Sequence, residues 1–263
     1  MARRLALIIG ISHYQRQTKL TSLQAPVHDA QAVYEILAEY GDFDVLHPLP
    51  LADGKVGKSG SVSVAELQEV LQQVFSPHSD DEIELVALYF SGHGVFDSRG
   101  QVVYLSASDE AQAIALSWLA DLAKNSVAQN VCLWLDCCHS GELLKFSDVG
   151  DKGFCVIAAS HAEGDALAKD GRSLLTKILC EALTPDTEQR REIRVLDFVQ
   201  AIEAGRKNLP QQVLCRHSDS AFTLTQWQGE ISHNAPTLRI IHRIAGYWLL
   251  HKRIRRSFLA ARA

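Results

Sequence analysis

The feature that most constrains the fold of this chain is a series of short, nearly continuous apolar runs at residues 5–11, 84–90, 130–135 and 154–159. Stretches whose apolar residues recur at helical spacing separate them. A run that is apolar on both alternating faces and too short for a helix reads as a strand covered on both sides. Such strands are parallel, and parallel strands need long, usually helical crossovers. The intervening segments supply them. Residues 29–40 align Ala30, Val33, Ile36 and Leu37 at helical steps and stop at Gly41. Residues 64–75 follow Ser63, with Glu66 at the spacing of a capping box. Further helices are expected over 116–124, 173–183 and 196–208, further strands over 43–51, 102–106 and 221–225, and a loop over 52–63. The pattern predicts an α/β fold with a mostly parallel central sheet and helices on both faces.

Charge divides the chain unevenly. The net charge is −5, yet residues 236–263 hold seven Lys or Arg and no acid, so residues 1–235 carry −12. An acidic body makes no case for nucleic-acid binding on the main domain. The boundary falls at Asn234-Ala-Pro236, giving a main domain over 1–235 and a basic extension over 236–263. In the extension Leu238, Ile241, Ile244, Trp248 and Arg255 fall at near-helical steps. They predict a helix that docks on the domain, on a partner or on a membrane surface. None of the six cysteines forms a C-x-x-C pair, which points to free thiols in a reducing compartment and to a cytoplasmic location. The apolar start reads as a buried strand rather than a signal peptide, and no stretch approaches the ~18–20 apolar residues of a bilayer span.

Two of the apolar runs end in polar, Gly-containing turns. The first delivers Ser91-Gly-His-Gly94 and the second Asp136-Cys-Cys-His-Ser-Gly141, which sets Cys138 45 residues after His93. Active groups in open α/β sheets gather beyond the carboxyl ends of the strands. A thiol there becomes a nucleophile when a nearby base raises its thiolate fraction. Strand alternation puts Asp136 and Cys138 on one face and turns Cys137 to the other. Cys138 is therefore the expected nucleophile and His93 the base, and the adjacent His139 points away. The backbone N–H groups of Gly94 and Cys138 form the expected oxyanion hole.

These two motifs resemble the signatures of caspase-like cysteine peptidases, most closely those of metacaspase and orthocaspase type. Ala6-Leu-Ile-Ile-Gly-Ile11, Val27-His-Asp-Ala30, Val156-Ile-Ala-Ala-Ser160 and Gly171-Arg-Ser-Leu-Leu-Thr176 are similar to other parts of that family, so the resemblance spans roughly residues 3–226. It implies a caspase-like α/β/α sandwich, with a larger portion about 1–145 and a smaller one about 152–228. It also implies an endopeptidase acting on peptide or protein substrates in regulated proteolysis, stress or cell-death and defence pathways. Asp136 stands where true caspases have Gln, and a carboxylate there favours a cationic P1 side chain. The resemblance adds Asp29 and Ser91 to that pocket, which implies cleavage after Arg or Lys. Asp29 has a second reading as a helix N-cap, and Asp136 a second reading as an orienter of a neighbouring N–H. The alternative for the whole chain is a catalytically silent homologue acting as a signalling scaffold. The sequence requires no cofactor and presents no metal site: Asp80-Asp-Glu82 and Asp148–Asp151 lack the spacing of a calcium loop and read as solvated charge runs. Asp109-Glu110 keeps calcium dependence open.

Overall fold

Strand β1 (Arg3–Gly10) is buried from Arg4 to its end because it lies inside a six-stranded sheet. The other strands are β2 (Val45–Leu49), β3 (Ile83–Ser91), β4 (Asn130–Asp136), β5 (Gly153–Ser160) and β6 (Gln212–His217). Their order is β6-β5-β4-β3-β1-β2, and every pairing is parallel except β5 with β6. The structure, a computed structural model, describes residues 2–76, 82–146, 152–160, 168–169, 171–185, 192–207, 212–219 and 221–227. The basic extension, Asp80, Asp81 and Asp148–Asp151 lie outside the described residues. Residues Met1–Gln228 make up one compact unit. No described helix is long and apolar enough to cross a membrane.

Side-chain alternation in the strands builds two cores. Leu7, Ile9, Leu88, Phe90 and Leu133 face helices α2 (Val64–Phe75) and α3 (Leu116–Asn125). Ala6, Ile8, Tyr89, Cys132 and Trp134 face α1 (Ala25–Tyr40), α4 (Leu174–Leu183) and α5 (Val195–Arg206). Burial of both faces is the physical reason for the continuous apolar runs. Helix α2 starts as expected, with Ser63 Oγ accepting the Glu66 N–H. Helix α4 is capped likewise, Ser173 Oγ accepting the Thr176 N–H.

Three elements depart from expectation. Helix α1 begins at Ala25, a turn early, with Pro26 in its first turn, where a missing N–H costs nothing. Asp29 therefore lies inside the helix and is not its cap. A short antiparallel ribbon, Leu51–Ala52 with Lys55–Val56, runs into the segment 52–63. The sheet is completed by β6, which had no clear signal, whereas the final strand Thr223–Gln226 pairs with Glu192–Arg194 outside the sheet. A small antiparallel sheet of Gly94–Asp97, Val102–Leu105 and Ile114–Ala115 extends from the end of β3.

Arg4 closes the unit. Its guanidinium donates to the carbonyls of Gly41 (3.1 Å), Thr223 (3.1 Å) and Leu224 (2.9 Å) and pairs with Glu84 at 2.9 Å. It also lies 5.1 Å from the centre of the Phe43 ring.

Candidate active site

The register of the sheet brings three carboxyl ends level. Gly10 of β1 pairs with Ser91 of β3, and Ser91 pairs with Asp136 of β4. Residues opposite each other in a register share a face, so Ser91 and Asp136 project toward the side of Tyr89 and Trp134. Helices α1 and α4 cover that side. From α1 comes Asp29, fully buried, whose Oδ2 accepts the Ser91 hydroxyl at 3.4 Å. From the start of α4 comes Ser173, whose N–H donates to Asp29 Oδ1 at 3.0 Å and whose hydroxyl donates to Asp136 Oδ2. Thr176 Oγ1 donates to the same Asp136 oxygen at 2.6 Å, and Tyr89 Oη bonds Thr176 Oγ1 at 2.6 Å. Asp29, Ser91 and Asp136 are thus one cluster, with Ser173 bridging its two carboxyls.

The electrostatics of the cluster are uneven. Burial, reinforced by the negative charge of Asp136, pushes the Asp29 carboxyl up to about 7, against the pull of the Ser173 N–H, the Ser91 hydroxyl and the Arg172 cation. Burial, then the two carboxylates, hold the Tyr89 phenol well above its ordinary range.

Beyond Ser91 the chain turns through Gly92 to His93. The His93 N–H donates to Tyr14 Oη at 2.8 Å, and the Tyr14 hydroxyl donates to the Ile11 carbonyl at 3.1 Å. The two rings meet edge-on, 4.8 Å apart at 62°. A side chain at position 92 would begin 2.8 Å from the Tyr14 oxygen, which explains the glycine. His93 Nε2 lies 2.8 Å from the Thr21 carbonyl oxygen. A carbonyl only accepts, so this contact assigns the proton to Nε2 and leaves the Nδ1 lone pair available.

The end of β4 separates its two thiols. Cys137 is 2% exposed among the residues facing α2 and α3, and burial holds its thiol well above the ordinary range. Cys138 is half-buried. The backbone at Gly94 lies against it: a Cβ on Gly94 would stand 2.0 Å from the Cys138 carbonyl oxygen. His139 then takes a left-handed conformation (φ 60°), and its exposed ring packs 5.9 Å from Phe96. Ser140 Oγ holds the turn from below, within hydrogen-bonding distance of the carbonyls of Leu135 (3.2 Å), Cys137 (2.9 Å) and Ala159.

No group of three His, Cys, Asp or Glu side chains suited to a metal occurs among the described residues. Asp109 Oδ1 accepts the Val64 N–H at 2.8 Å at the start of α2, and Glu110 accepts the Gln112 N–H at 3.1 Å. One oxygen of each carboxylate thus accepts a backbone N–H.

A family model described as Peptidase C14, caspase domain, matches residues 3–220. The chain belongs to this family. The caspase domain accounts for the sheet, both helical layers and the two motif-bearing strand ends, and it makes the protein a caspase-like peptidase by family. Among solved structures, the chain is similar to a protein from Geobacter sulfurreducens, with 16% identity, a TM-score of 0.55, and coverage of 82% of this chain and 93% of that one. That likeness concerns the fold alone. A comparison with curated proteins found no match.

Four residues that contact the candidate site residues were not singled out from the motifs, although Ser173 and Thr176 lie within the family-like segment Gly171–Thr176. Thr21 acts through its carbonyl, which leaves no side-chain signature. Tyr14 and Thr176 are separated from their partners by 79 and 40 positions. Ser173 alone carried a local signal, as a helix cap.

Proposed function

We propose that the protein is a cysteine endopeptidase that hydrolyses peptide bonds after Arg or Lys, with Cys138 as nucleophile and His93 as base. The observation that carries this reading is the contact of His93 Nε2 with the Thr21 carbonyl. With Nε2–H held by the Thr21 carbonyl, Nδ1 accepts the Cys138 proton. The thiolate attacks the scissile carbonyl carbon, and the N–H groups of Gly94 and Cys138 receive the oxyanion. Collapse of the tetrahedral intermediate breaks the C–N bond as His93 protonates the leaving amine. Water, deprotonated by His93, then releases the acyl group and regenerates the thiol.

The basic preference rests on the Asp29–Ser91–Asp136 cluster beside the nucleophile. A buried carboxylate left without a cation is costly, so a P1 Arg or Lys gains what a neutral or acidic P1 cannot. The test is a set of fluorogenic peptides varied at P1, assayed with and without calcium beside Cys138→Ala. Turnover of Arg and Lys substrates lost in the variant is the expected result. Efficient cleavage after Asp would overturn the specificity, and activity surviving in Cys138→Ala would overturn the mechanism.

A further inference from the structure

Asp136 does not stand alone at the end of β4. Two hydroxyls, from Ser173 and Thr176, donate to its Oδ2, while among the described residues Asp29 receives a backbone N–H and the longer Ser91 contact. Both donors belong to the first turn of α4, whose N-terminal end carries partial positive charge. The Ser173 hydroxyl spends its proton on Asp136 and its lone pair on the Thr176 N–H. Thr176 spends its proton on Asp136, so the Tyr89 hydroxyl donates to Thr176 Oγ1. The chain of donors therefore runs one way, from Tyr89 through Thr176 to Asp136. A carboxylate that accepts several such bonds stays ionised and fixed in orientation even when buried. Asp29, whose second donor is the long 3.4 Å Ser91 contact and whose burial is deeper, lacks that support.

We infer that Ser173 and Thr176 are positioning residues that set the preference for a basic P1 side chain, by holding Asp136 charged and fixed in orientation for it. This rests on the acidic-pocket reading proposed above. Asp136 is then the standing charge of the pocket, and the first turn of α4 determines how strongly it discriminates.

The test compares peptides with Arg at P1 and with citrulline, its neutral analogue. Ser173→Gly removes the hydroxyl but keeps a residue tolerated at a helix start. Thr176→Val is combined with Tyr89→Phe so that the Tyr89 hydroxyl is not left without Thr176, while Ser91 keeps its contact with Asp29. Each is expected to raise KM for Arg peptides by about tenfold, with a smaller fall in kcat, and to leave citrulline peptides nearly unaffected. The acid limb of kcat/KM should move to higher pH, since an Asp136 with fewer donors takes up a proton more readily. Thr176→Ser and Ser173→Thr should restore both properties. Labelling of Cys138 by iodoacetamide, which has no P1 group, reports separately that the nucleophile is intact. Equal losses with Arg and citrulline, or a fall in kcat at unchanged KM, would overturn the inference and leave a structural role. A wild-type enzyme that prefers Arg while its variants keep KM and the pH limb would overturn the inference alone. A wild-type enzyme indifferent between Arg and citrulline would overturn the acidic pocket as well.

Discussion

Asp29 and Asp136 share one buried cluster, yet their surroundings separate them. Burial beside Asp136 pushes the Asp29 carboxyl up to about 7. Its proton is therefore retained in the fold at pH values where an unfolded Asp has lost it. Between about 4 and 7 the native state binds more protons than the unfolded one, so stability falls as pH rises through that interval. Asp29→Asn should flatten this part of the profile, and thermal denaturation of both proteins from pH 4 to 8 checks it. A cationic ligand reverses the preference of the same group. KM for Arg peptides should fall as pH rises toward and past about 7. At the proposed nucleophile, residue-scale geometry discriminates between neighbours. Cys138→Ala should abolish hydrolysis and Cys137→Ala should leave most of it, because only Cys138 is outside the core. Comparable losses from both, with folding intact by circular dichroism, would refute the assignment.

At the scale of elements, the site is made where two strand ends touch. The space at Gly94 is already filled by the Cys138 carbonyl, 2.0 Å from where a Cβ would sit. Gly94→Ala must push the two turns apart and misalign the proposed oxyanion donors. A fall in kcat of about 100-fold or more is expected, at unchanged far-UV circular dichroism. Ser63→Ala, at the distant start of α2, should instead cost about 1 kcal/mol in a melt and leave kcat alone. Elements were legible in the sequence where burial is two-sided or a cap is local: β3, β4 and α2 are of this kind. The edge strand β6 was not. Only Val213 of its six residues is buried, so neither alternation nor a continuous apolar run marks it. Helix α1 was misplaced at its start because Asp29 offers the chemistry of a cap, while Pro26 one turn earlier signals the true first turn. The pair His93 and Cys138 was legible because each ends a strongly apolar strand. Their supports Tyr14, Thr21 and Thr176 were not, since long-range contacts leave no spacing to read, and Ser173 shows only the chemistry of a helix cap.

Across the whole molecule, Arg4 ties β1 to residues 223 and 224 and to Glu84 of β3. Arg4→Ala would strand the carbonyls of Gly41, Thr223 and Leu224 in buried surroundings. A loss of about 3 kcal/mol is expected from those unmet acceptors, read as a lower midpoint in urea with unchanged slope. The same long reach governs the order in which the proposed enzyme becomes competent as it leaves the ribosome. His93 and Cys138 emerge first, and β1, β3 and β4 can pair around them. The hydroxyls that Asp136 needs arrive only with Ser173 and Thr176, and the Arg4 clasp only with Leu224. A nascent chain therefore holds its blade before it has a grip. In the proposed enzyme the nucleophile is thus made before the residues that support its substrate preference.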